Sequence, residues 1–185
     1  MFLFLGLDAN YSEVIEQSPI FCELLKYHEN GVTFWKEHGV HHPFLLDGYR
    51  GDGRFYHRTF ASIGFGPEHA ALVSFAELLH HPTFGRSCLT PVDLDRNHLS
   101  NLNRAILEGD ARHIFVPDSV AKLMRASRCF PWMPDSPRDE GTPLKIWFKG
   151  GGKTVYWHYH FSVYGAFQAR KMEQLQQIAE LIRNH

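Results

Sequence analysis

The alternation of apolar and polar stretches along this chain predicts short buried strands separated by helices. Residues 1–5 are an unbroken apolar run ending at Gly6, which is typical of a strand buried on both faces of a parallel sheet. The run at 71–79 would also permit a helix, but its length between flanking Gly and Pro residues suits a second buried strand better. Further strand-like runs lie at 114–116, 144–149 and 154–160. Only glycine-rich sequence separates the last two, which predicts a hairpin.

Helices are predicted between the strands, and a helix closes the chain. Helical segments are expected within 18–31, 54–63 and 98–108, and another starts at 120–124. The buried face of the closing helix is predicted to be Met172, Leu175, Ile178, Ala179 and Ile182. The stretch 31–53 is dense in Gly, His and aromatic residues and is predicted to be a long functional loop. The alternating order implies an α/β sandwich with a mostly parallel sheet.

Composition narrows the class of protein only slightly. A length of 185 residues suits one domain, and the formal net charge of −1 gives no global electrostatic case for nucleic acid, although a local basic patch remains open. Three widely spaced cysteines show neither a disulfide framework nor C-x-x-C metal spacing, which favours a reducing, cytoplasmic setting. The first apolar run is too short for a signal sequence, and no run approaches the ~18 apolar residues of a membrane span. We therefore expect a cytoplasmic protein that does not enter membranes.

Two acidic residues stand at the ends of predicted strands. Asp8 follows the first strand, at the edge of an open α/β sheet where ligands bind. Glu77 interrupts an otherwise apolar strand, and a buried carboxylate is costly unless it is paired. Both residues also have simpler interpretations: Asp8 could cap or anchor the following loop, and Glu77 could turn towards solvent.

A third candidate feature is the histidine pair in Tyr156-Trp-His-Tyr-His160. Strand side chains alternate, so His158 and His160 are expected on one face, roughly 6.6–6.8 Å apart along the chain. That arrangement suits two metal ligands, or one catalytic histidine beside a structural one. The nearby Lys149-Gly-Gly-Gly-Lys153 segment could cradle a phosphate, but a plain hairpin turn is the better interpretation.

Taken in order, these segments resemble the uracil-DNA glycosylase superfamily. Gly6-Leu-Asp8 matches the G-x-[DN] core of the first family motif, and residues 74–83 resemble the second, with Glu77 at the position of a base-reading Asn. His160-Phe-Ser162 and the helix that follows are similar to the third motif, H-P-S-P. Pro43-Phe44 resembles a Pro-Phe pair whose ring stacks on the flipped base in some branches. The chain departs from the family in lacking the prolines of the first and third motifs and the four cysteines of the iron–sulfur branches.

The resemblance implies a three-layer α/β/α sandwich with a mainly parallel four-stranded sheet, formed by residues 1–185 as one domain. It also implies a monomeric DNA glycosylase that needs neither metal nor cofactor and hydrolyses the N-glycosidic bond of a damaged or deaminated base, flipped out of the stack.

The roles that the resemblance implies for individual residues fall into three groups. Asp8 and His160 would be catalytic, with Asp8 placing the attacking water and His160 stabilising the departing base. The base-binding residues would be Glu77, Phe44, Tyr11 and Asn10. The DNA-binding residues would be Arg54, Arg58, Lys149, Lys153, Phe161, Ser162 and Tyr164.

The Glu77 substitution carries a specific expectation about the base. An Asn amide can both donate to and accept from uracil, whereas an ionised Glu only accepts. An ionised Glu77 facing a uracil carbonyl would oppose two acceptors, unless burial protonates Glu77 or the pocket reads another base. We therefore expect weak or no uracil excision near neutral pH and a preference for another lesion, such as hypoxanthine or a damaged purine.

Two other classes of function stay open. One is a metal-dependent hydrolase in which His158 and His160, together with Asp8, bind a divalent ion. The other is a catalytically silent nucleic-acid or nucleotide-binding module of the same fold.

Overall fold

A computed structural model describes residues 1–84 and 89–184 of the chain, so Cys88 lies outside the described residues. The strands are β1 (Phe2–Gly6), β2 (Asn10–Tyr11), β3 (Val73–Glu77), β4 (Thr83–Phe84), β5 (His113–Pro117), β6 (Lys145–Gly150) and β7 (Lys153–His158). The helices are α1 (Phe21–Glu29), α2 (Gly31–His38), α3 (Arg54–Ala61), α4 (Arg96–Glu108), α5 (Asp118–Ser127) and α6 (Gln168–Arg183). The α/β class is confirmed.

The chain divides into two compact units, each of which is described by itself. The first unit contains residues 1–11 and 73–160, and the second contains residues 12–72 and the chain from residue 161 onward. The expectation of one domain stays a prediction.

The first unit is built on a mixed sheet of five strands in the order β3-β1-β5-β7-β6. β3, β1, β5 and β7 are mutually parallel, and β6 pairs antiparallel with β7 to form the predicted hairpin. The expected four-stranded sheet is therefore corrected to five strands, because the hairpin adds β6 at one edge. A separate pair of two-residue strands, β2 and β4, runs parallel beyond the ends of β1 and β3.

Strand order creates a switch point in this sheet. The chain leaves β1 for β3 on one side and then crosses to the other side of β1, where it forms β5 and β7. In open α/β sheets, ligands bind outside the carboxyl ends of the strands at such a reversal. The loop that carries Asp8 leaves β1 at this position.

Apolar side chains explain why these segments form the unit. Leu3, Leu5 and Ile114 face a core that is completed by α4 and α5, whose buried positions recur at helical spacing. Along the strands, the alternate residues carry aromatic rings, and Phe4 stacks on Phe115 with ring centroids 4.6 Å apart. Both faces are thus apolar, as the unbroken run at residues 1–5 predicts.

The second unit contains a helix where the sequence predicts a loop. Asn30 begins α2 by accepting a hydrogen bond from the Thr33 N–H at 3.0 Å, and Gly39 ends the helix with φ of 70°. The expectation of a continuous loop over 31–53 is therefore wrong, because Gly31 starts a new helix instead of closing the previous segment. The remaining part, around Pro43–Leu45, is a single short turn of 3₁₀ helix.

The closing helix α6 is present, but its buried face is turned from the predicted one. Leu175 and Ile178 are buried as predicted, whereas Met172 is 41% exposed. Lys171 and Gln174 are buried instead. The Lys171 ammonium accounts for this rotation, because it donates to the carbonyl oxygens of Phe161 and Val163 at 3.1 and 2.7 Å. Among the described residues, no helix has both the length and the apolar character needed to cross a membrane.

Candidate active site

The carboxyl ends of β1 and β3 bring two acidic residues to one edge of the sheet. The parallel register pairs Gly6 with Glu77. The Glu77 carboxyl group lies over Gly6, where an added Cβ would stand only 2.6 Å from the Glu77 Cδ. Any side chain at position 6 would therefore displace Glu77. The glycine that ends the first apolar run leaves the space that this carboxyl group occupies.

Backbone pairing continues past the two strands and carries Asp8 to the same edge. The Leu79 N–H donates to the Leu7 carbonyl at 3.1 Å, and the Thr83 N–H donates to the Ala9 carbonyl at 3.1 Å. The Thr83 hydroxyl also donates to Oδ2 of Asp8. Because Thr83 is buried, this bond fixes one carboxylate oxygen of Asp8.

Glu77 lies in a different environment from Asp8. Its Oε2 atom is buried and has no hydrogen-bond partner among the described residues, although the residue as a whole keeps some exposure. Burial, together with the negative charge of Asp8, raises the pKa of Glu77 to about 8. Glu77 is therefore mainly protonated at neutral pH and can donate a hydrogen bond.

His98 fixes the backbone at this position. Its Nε2 donates to the carbonyl oxygen of Glu77 at 2.8 Å, so the end of β3 is tied to the first turn of α4. Sequence reasoning missed both Thr83 and His98 as members of the site. The Pro82-Thr83 pair in the second motif-like segment was the only available signal for Thr83.

The two histidines at the carboxyl end of β7 lie in different environments. His158 is 3% exposed, its Nδ1 donates to the Tyr159 carbonyl at 2.7 Å, and burial lowers its pKa to about 3. β7 ends at His158, so strand alternation does not extend to His160, which lies half-buried beyond the carboxyl end of the strand. His160 thus follows the same sheet edge as Asp8.

A metal centre finds no support in this geometry. Within residues 1–84 and 89–184, no group of three or more His, Cys, Asp or Glu side chains is placed to hold a metal ion. The metal-dependent alternative therefore has no observation in its favour.

The predicted phosphate-binding lysines lie elsewhere. Lys149 and Lys153 flank the turn before β7, at the amino end of this strand and thus at the edge of the sheet opposite Asp8. The Lys153 ammonium donates to the carbonyl oxygens of Gly109 and Ala111, the latter at 2.8 Å. The structure does not bring these lysines together with the acidic pair.

Two aromatic residues with predicted contacts to a base or to the base stack are buried in the second unit. Phe44 is 4% exposed and stacks on Tyr49, with ring centroids 4.2 Å apart and planes 10° from parallel. Stacking of a base on Phe44 would require Tyr49 to move, so the expectation of an open platform is corrected. Phe161 is fully buried beside Tyr56 and Phe60 and cannot serve as a wedge in this conformation.

The other predicted residues keep some exposure. Tyr164 is 81% exposed, Ser162 is half-buried, and Asn10 is exposed. Tyr11 is buried in β2 and tilts against Phe84, with ring centroids 6.4 Å apart.

Arg54 and Arg58 lie on α3 and line a cavity of about 540 Å³. Arg50, Gly51 and Phe55 complete its lining. Sequence reasoning missed Arg50 and Phe55, although the regular four-residue spacing of the three arginines was a usable signal.

Comparison of the chain with protein-family models, with curated proteins and with solved structures gave no match.

Proposed function

We propose that this protein is a DNA glycosylase-like hydrolase that cleaves the N-glycosidic bond of a damaged or deaminated base, flipped out of the stack. The observation that carries the proposal is the acidic pair: Asp8 and Glu77 lie at the carboxyl ends of adjacent parallel strands, and burial raises the pKa of Glu77 to about 8. A buried acid with a raised pKa beside a second carboxyl group is typical of an acid–base site. The proposal includes DNA as the partner, a monomeric state and the three-layer arrangement of the fold.

Asp8 is the residue that places water in this proposal. Its carboxylate is oriented through Oδ2 by Thr83, so its other oxygen can accept a hydrogen bond from the attacking water. Cleavage develops positive charge on the sugar, and a fixed carboxylate stabilises that charge without reorganisation in the transition state. His160 is assigned to the departing base, where a hydrogen-bond donor stabilises the developing negative charge.

Glu77 is the residue that reads the base. Its protonated carboxyl group offers one donor and one acceptor, which complement a carbonyl and an adjacent N–H on a base edge. Hypoxanthine and uracil both present such an edge. The raised pKa therefore removes the electrostatic objection to uracil that an ionised Glu77 would create. The proposal therefore covers uracil as well as hypoxanthine or another damaged base, and the assay of base release compares them.

The test is base release from duplexes that contain uracil, hypoxanthine, xanthine or mismatched thymine. We expect Asp8→Asn to lower release by at least about a hundredfold, a usual scale for lost general-base assistance, and Asp8→Ala to lower it at least as much. Asp110→Asn, an exposed change near the opposite edge of the sheet, is the matched control.

Three results would contradict the proposal or one of its parts. Unchanged release in both Asp8 variants would remove Asp8 from the mechanism. Binding of the duplexes by folded wild-type protein without release of any base would favour the silent binding module. Efficient uracil release that Glu77→Asn leaves unaffected would show that Glu77 does not read the base.

A further inference from the structure

Three arginines of the second unit are spaced four residues apart around a single cavity. Arg54 and Arg58 share one face of α3, because residues four apart on a helix are neighbours. Arg50 precedes the helix by one further step, and all three line the cavity of about 540 Å³. That volume lies within the usual range of small-ligand sites.

None of these arginines forms an ion pair with a carboxylate in the described part of the chain. Arg50 donates from Nη1 to the Tyr49 carbonyl at 3.0 Å, and Arg54 donates from Nη1 to the same oxygen. The Nε of Arg54 is buried and has no partner among the described residues. Like charges at this spacing repel one another, so an anion bound between them would stabilise the cluster.

The backbone adds further donors beside the arginines. α3 begins after Gly53, which has φ of 83° and no side chain to cap the first N–H groups of the helix. Uncapped N–H groups at the start of a helix favour a phosphate or another anion. Two independent features, the guanidinium groups and the helix start, thus favour the same kind of ligand.

Phe55 makes the cavity more than an anion site. This ring lines the cavity and is 51% exposed, and the Lys171 ammonium lies 5.0 Å from its centroid. An exposed aromatic ring beside a phosphate site is the arrangement with which proteins bind single-stranded nucleic acid, because unpaired bases stack on such rings.

We propose that this arginine pocket binds a backbone phosphate of a single-stranded nucleic-acid segment, with Phe55 stacked on a neighbouring base. The guanidinium fork matches phosphate oxygens in geometry and charge. The inference extends the DNA contacts that the resemblance implies for Arg54 and Arg58, because it adds Arg50, Phe55 and an unpaired strand as the ligand. The pocket uses neither Asp8 nor Glu77, so its binding test does not depend on the glycosylase activity.

The experiment measures binding of the full chain to a labelled oligothymidylate at several salt concentrations by fluorescence anisotropy. A sugar–phosphate strand of equal length without bases serves as the second probe. We expect Arg58→Ala to weaken binding at least about threefold and to reduce the salt slope by about 0.7, the value for one phosphate contact on a single strand. Phe55→Leu should weaken oligothymidylate binding at least about fivefold and leave binding of the baseless strand unchanged.

Arg104→Ala, an exposed change on α4, is the matched control and should bind like the wild type. Arg58 and Phe55 are both exposed, and circular dichroism verifies that their variants fold.

Wild-type affinity and salt slope in Arg58→Ala would overturn the phosphate assignment. Equal wild-type affinity for the two strands would overturn the base stacking, and full competition by polyglutamate would indicate an acidic protein partner instead. Oligothymidylate binding that persists without base release would refute only the glycosylase.

Discussion

Asp8 and Glu77 carry the same functional group, but the structure gives them different surroundings. Asp8 receives a hydrogen bond from Thr83, whereas Oε2 of Glu77 is buried and has no hydrogen-bond partner in the part of the chain that the structure describes. A buried acid without hydrogen bonds is stabilised in its neutral form, and the nearby negative charge of Asp8 adds to this effect. Glu77 is thereby prepared to donate a hydrogen bond, while Thr83 holds the Asp8 carboxyl group in place.

Glu77 should make the free energy of unfolding depend on pH. Its folded-state pKa of about 8 lies above the ordinary value of 4.5, so between these values the folded chain holds a proton that the unfolded chain releases. Its contribution to stability is complete below about pH 4.5 and is lost as the pH rises to about 8, by at most ~1.4 kcal/mol per pH unit. Glu77→Gln should remove this loss.

Urea unfolding of the wild type and of Glu77→Gln, each at about pH 5 and at about pH 8, measures how the free energy of unfolding changes between the two pH values. Comparing this change in the two proteins isolates Glu77 from the other titrating groups. Glu173→Gln, at an exposed position on α6, is the control. Equal changes in stability for wild type and Glu77→Gln would show that Glu77 is ionised in the folded protein at neutral pH.

Helix α6 is the element whose role differs most from the expected one. The sequence pattern predicts a purely apolar contact face, yet Lys171 in the first turn of the helix is only 1% exposed. Burial lowers the pKa of Lys171, and its ammonium group donates hydrogen bonds to the carbonyl oxygens of Phe161 and Val163. The helix thus holds the segment that follows His160 along the chain.

Replacing Lys171 by Met should destabilise the protein by about 1–3 kcal/mol, because two backbone carbonyls would lose their donor while the apolar stem would be kept. Chemical denaturation measures the change. Arg170→Met, at the exposed neighbouring position, is the matched control and should stay within about 0.5 kcal/mol of the wild type. If the Lys171→Met variant is as stable as the control, the two hydrogen bonds to the carbonyl oxygens make no net contribution to the free energy of unfolding.

At the scale of the whole molecule, several buried histidines make the free energy of unfolding depend on pH in the acidic range. Burial lowers the pKa of His41, His42, His57 and His158, in the last two cases to about 3. In the second unit, the rings of His42 and His57 stack 3.7 Å apart, and His41 hydrogen-bonds His57 at 3.0 Å. These contacts require neutral imidazoles, because a protonated ring would face a second ring without water.

Stability should therefore fall as the pH is lowered below about 6.5, by up to ~1.4 kcal/mol per pH unit for each of these histidines. For His57 and His158 this fall continues towards about pH 3. Stability falls with pH because the unfolded chain binds protons at its histidines in this pH range, whereas the folded chain does not. Urea unfolding between about pH 7 and about pH 5 tests this expectation. His158→Gln should reduce the slope of the free energy of unfolding against pH by the amount that corresponds to about one proton. His80→Gln, at an exposed position, is the control. Stability that does not fall over this range would contradict the prediction.

The strands were predictable because their signal is local. Five strand-like runs predict five strands, and the structure forms a strand in each of them, because a short apolar run is stabilised by burial in a sheet. The expectation of four strands came from the resemblance and not from the pattern. Most helices were also predictable, but α2 was hidden in a stretch whose histidines and glycines resemble a loop. Its start signal, the Asn30 cap, is a single residue.

Tertiary structure alone decided which of the candidate residues meet. The distance along the chain from Asp8 to Thr83 says nothing about their hydrogen bond, which exists because β1 and β3 pair in parallel with Gly6 beside Glu77. The same holds for burial: periodicity predicted that Met172 would be buried, but in the structure Met172 is exposed and Lys171 is buried, where it donates to the carbonyl oxygens of Phe161 and Val163. A sequence pattern records whether a segment will be buried, whereas register and unmet hydrogen bonds determine what each side chain faces.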